Sequence, residues 1–236
     1  MQGLKRRSPR RKNREDKMPG IEKAAFYNNP FIGLYLKASD RLALVPSDAP
    51  HKLALQAEAC LNVPVERMLI DNSHLLGVMV CLNSNGAVLA NQADKREVEL
   101  LKKHGLNVTR LQKLAPGNNI TANDKAAIAS HRVTKQECRE IEDCLGVEVH
   151  QPRFGGMGAL ASTTVATNRG ALAYNELSET ELKLLEKILG IYAMVGTSNL
   201  GVQFNALSIT ANSHGCLVGM QTTGFEMQRI YEALFG

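Results

Sequence analysis

Any chemistry in this chain would have to come from a thin stock of reactive side chains: five cysteines, six histidines and no tryptophan in 236 residues. His214 and Cys216 stand two apart, and a thiolate beside an imidazole is a nucleophile. His51, His74, His104, His131 and His150 have no partners at metal-ligand spacing. Cys60, Cys81, Cys138, Cys144 and Cys216 form no CxxC pair, which argues against zinc and against a disulfide framework. HExxH, a Walker-type GxxxxGK and GxSxG are all missing. Gly155-Gly156-Met157-Gly158 has the composition of a phosphate loop, yet it precedes an apolar strand rather than a helix, so close packing or a bend suits it better. We expect no metal and no cofactor. The polar residues that recur are amides: Asn83, Asn85, Asn118, Asn119, Asn123, Asn168, Asn199 and Asn212, with Arg41, Lys125, Arg169 and His214 among them.

Most of these sit in a repeat. A short polar turn (Ser39-Asp40-Arg41, Asn83-Ser84-Asn85-Gly86, Asn123-Asp124-Lys125, Thr167-Asn168-Arg169-Gly170, Asn212-Ser213-His214-Gly215) recurs at intervals of 44, 40, 44 and 45 residues. Eleven residues after the first residue of each turn comes Pro50, Asp94, Thr134, Ser178 or Thr223, and the last four begin a capping box with Glu97, Glu137, Glu181 and Glu226. Ser47 or Asp48 is expected to cap the first helix, ahead of Pro50.

The turns are flanked by apolar runs such as Val80-Cys81-Leu82 and Ala87-Val88-Leu89, which read as hairpins whose Asn, Asp and Gly take positive φ angles. An amphipathic helix follows, ends at Gly105, Gly146 or Gly190 (Asn62 in the first unit), and gives way to a third strand. The unit is therefore ββαβ, repeated five times at about 28–66, 67–111, 112–151, 152–195 and 196–236. The fifth unit runs out of chain at Gly236 before its third strand. Ala24-Ala25-Phe26-Tyr27 is the strand-like piece left to complete it, so the ends should pair and close a ring without open sheet edges. Five turns related by a ring gather on one face and make an amide-rich docking surface. The equivalents of Cys216 are Ala43, Ala87, Ala127 and Ala171, which marks a small buried position more than a nucleophile.

Charge is unevenly placed. Residues 1–18 carry eight basic side chains against two acidic ones, while the whole chain is at +5, so residues beyond them are nearly neutral. We read residues 1–20 as a basic, disordered extension in which Arg6, Arg7, Arg10 and Arg11 are available to RNA phosphates, and residues 21–236 as a single domain. No apolar run is long enough to span a membrane and none resembles a signal peptide, so a cytoplasmic protein is expected.

Several motifs now coincide with one family. Asn28-Asn29-Pro30-Phe31-Ile32-Gly33-Leu34-Tyr35, Gly117-Asn118 running into Asn123-Asp124-Lys125, Val195-Gly196-Thr197-Ser198-Asn199 and Val218-Gly219-Met220-Gln221-Thr222-Thr223-Gly224 resemble, in order and phase, the archaeal and eukaryotic translation initiation factor 6 family. The resemblance covers roughly residues 24–236, and the short C-terminus is similar to the archaeal type. It implies a pentein fold, an α/β ring of five units, and a monomeric factor without enzymatic activity. Such a factor binds the intersubunit face of the large (50S) ribosomal subunit, with a role in its biogenesis as well. There it blocks premature joining of the small subunit. Arg41, Asn83, Asn85, Asn118, Asn123, Lys125, Asn168, Arg169, Asn199, Asn212 and His214 are the expected contacts. Leu200-Gly201-Val202 and Asp71-Asn72-Ser73-His74 depart from the family pattern. The alternative is a pentein enzyme of the guanidine-modifying type, with Cys216 as nucleophile and His214 beside it.

Overall fold

The computed structural model describes residues 18–154 and 160–236. Arg6, Arg7, Arg10, Arg11 and the run Gly155 to Gly158 lie outside the described residues. Among the described residues the strands form five three-stranded sheets. Unit one has β2 (Lys37–Ala38), β3 (Ala43–Pro46), α1 (His51–Leu61) and β4 (Val65–Met68). Unit two has α2 (Leu76–Met79), β5 (Val80–Leu82), β6 (Gly86–Ala90), α3 (Lys95–Lys103) and β7 (Asn107–Leu111). Unit three follows with α4 (Pro116–Asn119), β8 (Ile120–Ala122), β9 (Ala126–Ala129), α5 (Lys135–Leu145) and β10 (Glu148–His150). Unit four has α6 (Leu160–Thr163), β11 (Val165–Ala166), β12 (Gly170–Ala173), α7 (Glu179–Leu189) and β13 (Tyr192–Val195). Unit five has α8 (Asn205–Ser208), β14 (Ile209–Asn212), β15 (Gly215–Gly219) and α9 (Gly224–Phe235).

In each sheet the hairpin partners are antiparallel and the third strand lies parallel to the second. Unit five borrows its third strand from the other end of the chain: β1 (Gly20–Ala24) pairs parallel with β15, Gly20 opposite Gly215 and Ala24 opposite Gly219. The ring closes as expected, but with a different segment. The strand starts at Gly20, with Glu22 and Lys23 exposed, whereas Phe26 bridges Asn29 and stacks on Tyr35 at 4.2 Å between ring centroids. Aromatic content pointed to residues 24–27. Backbone pairing on an outer strand needs little apolar surface, so the polar stretch before them took the role. With this closure the architecture is the α/β pentein ring.

The capping boxes form at Asp94, Thr134, Ser178 and Thr223, each side chain accepting from the N3 amide while the N3 glutamate accepts from the cap residue's own amide. α1 differs, because neither Ser47 nor Asp48 caps it; it starts from Pro50 without a side-chain bond. Asn62, Gly146 and Gly190 end their helices in the left-handed conformation.

Two features were not expected. First, a single helical turn precedes every hairpin: a 3-10 turn at Ile32–Leu34, then α2, α4, α6 and α8. These turns pack on one another in a circle, and Gly33, Gly77 and Gly117 allow it, since a Cβ there would overlap Ala206 O, Gly33 O and Gly77 O respectively. Second, the hairpin turns contain no positive φ angle. Gly86, Gly170 and Gly215 serve close approach instead, where the next unit's helix brings Cys144 O, Ala233 O and Cys60 O against the strand.

Candidate functional site

Strand direction gives the ring two ends. The first strand of every unit runs into the polar turn, and the second and third run back, so one end carries the five turns and the C-termini of α1, α3, α5, α7 and α9. The other carries those helices' N-termini, the single-turn helices and the loops that follow the third strands.

At the turn end, the residues picked out by the sequence are largely spent on the protein itself. The Asn83 amide donates to Asn123 O (3.2 Å) and to Leu145 O at the end of α5 (2.9 Å), while its own oxygen accepts from Asn85 and Gly86 N–H. Asn123 repeats this on Thr167 O and Leu189 O, and Asn212 on Ser39 O and Leu61 O. All three are at most 4% exposed. Each clamps its unit to the next. Units one and four have Ser39 and Thr167 at this position, too short to reach across. There the third turn residue takes over: Arg41 donates to Ser84 O and lies over Gly105, and Arg169 donates to Phe235 O at the end of α9 (2.7 Å). Lys125 likewise donates to Gly190 O and Asn85 to Leu145 O. Cationic or amide donors on helix C-terminal carbonyls also complement the helix dipole. The second turn residues meet around the axis, where the Asn168 amide donates to both Asp40 (2.8 Å) and Asp124 (2.6 Å).

The expectation of an open, amide-rich surface is therefore corrected: Asn83, Asn123 and Asn212 are buried and saturated, and Asn168 is half-buried and bonded on both sides. Arg41, Asn85, Lys125, Arg169 and His214 remain exposed at that end.

Asn118 and Asn199 belong to the other end. Asn199 is 3% exposed and ties the ring closure, donating to Pro30 O and Ser208 Oγ and accepting from Thr222 Oγ1. Around it the loops are tight. Tyr27-Asn28, Asp71-Asn72 and Asn199-Leu200 are consecutive non-glycine pairs with φ between 47° and 67°, each pair inside a turn closed by Phe26↔Asn29, Ile70↔Ser73 or Ser198↔Val202. Non-glycine residues in the left-handed region cost energy and persist where the surroundings hold them. The capping-box glutamates supply part of that hold. Glu97 accepts from Asp71 N (2.9 Å), and Glu226 from Gly201 N, Leu200 N and Thr197 Oγ1 in addition to its own cap. Burial pushes the Glu226 carboxyl up, but the bonds from Thr223, Gly201 and Thr197 outweigh it and hold the group below the ordinary carboxylate value. The sequence showed these glutamates as caps, and only the fold shows their second task.

The held loops lift Tyr27 (63% exposed) and Leu200 (69%) into solvent, and the same end exposes Met220 (54%), just after β15, Phe225 (83%), in the first turn of α9, and Phe204 (40%), just before α8. On the same end, between units three and four, Asn118, Asn119, His131, Arg132, Arg153 and Phe154 line a groove of about 470 Å³, with Lys113 alongside. Lys113, Arg132 and Arg153 make no ion pair among the described residues.

Cys216 is fully buried among Val165, Ile209, Val218 and Ile230, and burial pushes its thiol well above the ordinary value. His214 is on the exposed turn. The pair is not a nucleophilic site, because a neutral thiol sealed in a core neither ionises nor meets a substrate. No cluster of His, Cys, Asp and Glu suited to a metal occurs among the described residues. No described helix is long and apolar enough to cross a membrane.

Translation initiation factor 6 of Thermococcus onnurineus is 37% identical over 222 residues, covering 91% of this chain and 97% of its own. The factors of the same name from Pyrococcus horikoshii and Thermoplasma acidophilum are 35% and 36% identical, over 91% of this chain and 98% and 99% of theirs. Among solved structures, a DDAH from Pseudomonas aeruginosa complexed with citrulline is similar at 14% identity, with a TM-score of 0.45 over 70% of this chain and 68% of that one. A dimethylarginine dimethylaminohydrolase adduct with S-methyl-L-thiocitrulline aligns at 15% identity and a TM-score of 0.47 over 76% of each chain. The model of the eIF-6 family matches residues 21–233, and the chain belongs to that family.

Proposed function

We propose that this protein binds the large ribosomal subunit through its loop end and, by its bulk, prevents premature joining of the small subunit. The observation that carries the reading is the exposed apolar set Tyr27, Leu200, Met220 and Phe225, of which Tyr27 and Leu200 are borne on backbone that costs energy to hold. Rigid aromatic and aliphatic anchors on a pre-organised surface are how a small rigid body gains affinity, because little conformational entropy is lost on docking. The groove of Asn118, Asn119, Arg132 and Arg153 suits the rRNA phosphates beside a ribosomal protein contact, since its guanidinium groups make no ion pair among the described residues. At the turn end, Arg41, Lys125, Arg169 and His214 act first as clamps, and as contacts only through the donors that the clamps leave over. The protein acts as a cytoplasmic monomer, and the basic residues Arg6, Arg7, Arg10 and Arg11 add salt-dependent RNA affinity.

Sedimentation with purified ribosomal subunits tests this. Comigration with the large subunit and loss of joined particles are expected. Comigration with the small subunit alone, or undiminished joining at saturating protein, would sink the proposal.

A further inference from the structure

Strand β1 closes the ring but is attached to it from one side. Among the described residues it is joined to the rest of the fold only through residues 25–29, whereas β4, β7, β10 and β13 each lie between two elements of the ring. What holds β1 in place carries little apolar surface. Besides its five parallel pairs with β15, the Gln56 amide of α1 donates to the Glu22 carboxylate and to Lys23 O, both at 3.0 Å, and Cys60 Sγ donates to Gly20 O. Only Ala24 of the strand is buried.

The segment that follows is strained. Tyr27 and Asn28, at φ 47° and 67°, are the central residues of a turn closed by Phe26 N–H on Asn29 O (3.1 Å) and Asn29 N–H on Phe26 O (2.8 Å). A turn with positive φ at both central residues favours Asn-Gly, and here a tyrosine takes the first place and no glycine the second. Asn29 precedes Pro30, which biases it toward extended backbone. The pairs Asp71-Asn72 and Asn199-Leu200 share the strain but lie between ring elements on both sides. Only at Tyr27-Asn28 can the turn open while every strand stays paired.

Opening it gives up the two turn bonds and the bond from the Tyr27 hydroxyl to Asp48 O (2.6 Å). Everything before the turn, from the β15 ladder to the stacking of Phe26 on Tyr35, is rebuilt unchanged in the identical slot of a second copy. Short hinges under strain are where chains exchange an identical element.

We propose that β1 exchanges between two copies of this chain, the first strand of each completing unit five of the other. The interaction surface is the edge of β15 with α1 beside it, and residues 25–29 are the hinge. Each slot is filled and no strand is left over, so the dimer is closed and symmetric. Tyr27 sits in the hinge, and exchange takes this anchor out of the loop-end set. That consequence rests on the docking reading above; the exchange itself does not, and its test needs no ribosome.

The test uses the full chain, partly unfolded in urea, concentrated and returned to buffer. Size exclusion with light scattering should separate a dimer that persists on dilution, and a chain that returns only as monomer overturns the proposal. Gly20→Cys identifies the exchange, because a Cβ at Gly20 lies 4.0 Å from Cys60 Sγ of α1. Oxidised after separation, the dimer should run as a covalent dimer on a non-reducing gel and the monomer as a single chain, and adding Cys60→Ala should remove the link. A dimer fraction whose chains stay unlinked overturns the proposal. Asn28→Gly, which suits the positive φ and keeps the turn, should lower the dimer fraction about threefold or more. An undiminished fraction in that variant also overturns it.

Discussion

The two ends of the ring are built from similar polar residues and use them in opposite ways. At the turn end asparagines, arginines and a lysine look outward in sequence, but their donors are consumed by carbonyls of the neighbouring unit. At the loop end the polar groups that matter, Asn199 and Glu226, are turned inward, and what they hold up to solvent is apolar. A side chain's chemistry therefore says less about docking than whether its bonding capacity is already used. The turn end is a set of joints, and the loop end is free to meet a partner.

Breaking a joint should have the largest effect. Asn212→Ala leaves Ser39 O and Leu61 O without their buried donor and is expected to cost about 3 kcal/mol in urea denaturation. Subunit binding by the protein that remains folded should not change. A loss of binding with unaltered stability would reverse the assignment of the two ends. Next come Leu200→Asp and Phe225→Ala. Each should weaken large-subunit binding about tenfold or more, with stability unchanged within about 0.5 kcal/mol, as read by sedimentation and urea midpoints.

A smaller effect separates the loop scaffold from the joints by pH. The Glu226 carboxyl titrates lower in the folded state than the ordinary 4.5, so it contributes stability that is present above that value and is lost as pH falls through the folded value. Wild type should therefore lose stability more steeply than Glu226→Gln on acidification below about pH 4.5. Parallel acid profiles would remove the carboxylate from the scaffold. Smallest of all, Cys216 should stay unlabelled by a thiol reagent in the native protein while the half-buried Cys138 reacts first, which mass spectrometry of the digest resolves.

The repeat made much of this readable in advance. Turn spacing in all five units, capping boxes in four and the missing strand of unit five were enough to derive a closed five-unit ring, since each follows from local rules. The single-turn helices were missed although they have a signal: an apolar or polar residue followed by Gly or Ala, with the small residue six before every turn, at Gly33, Gly77, Gly117, Ala161 and Ala206. Four residues are too few for helical periodicity to register. The tight loops at residues 27–28, 71–72 and 199–200 did carry a signal in Asn28, Asp71, Asn72 and Asn199, which tolerate the left-handed region, but the expectation of positive φ was placed on the hairpin turns instead.

The sequence by itself determined the unit, its count and its closure, because hydrogen bonding within a hairpin or a helix cap depends on residues three to eleven apart. Only the tertiary structure decided what the asparagines do. Asn83 and Leu145 are 62 residues apart and meet because α5 of one unit leans on the strands of the previous one. Whether an amide faces solvent or a carbonyl is settled by that packing, and the same packing left Leu200 and Phe225 uncovered at the opposite end.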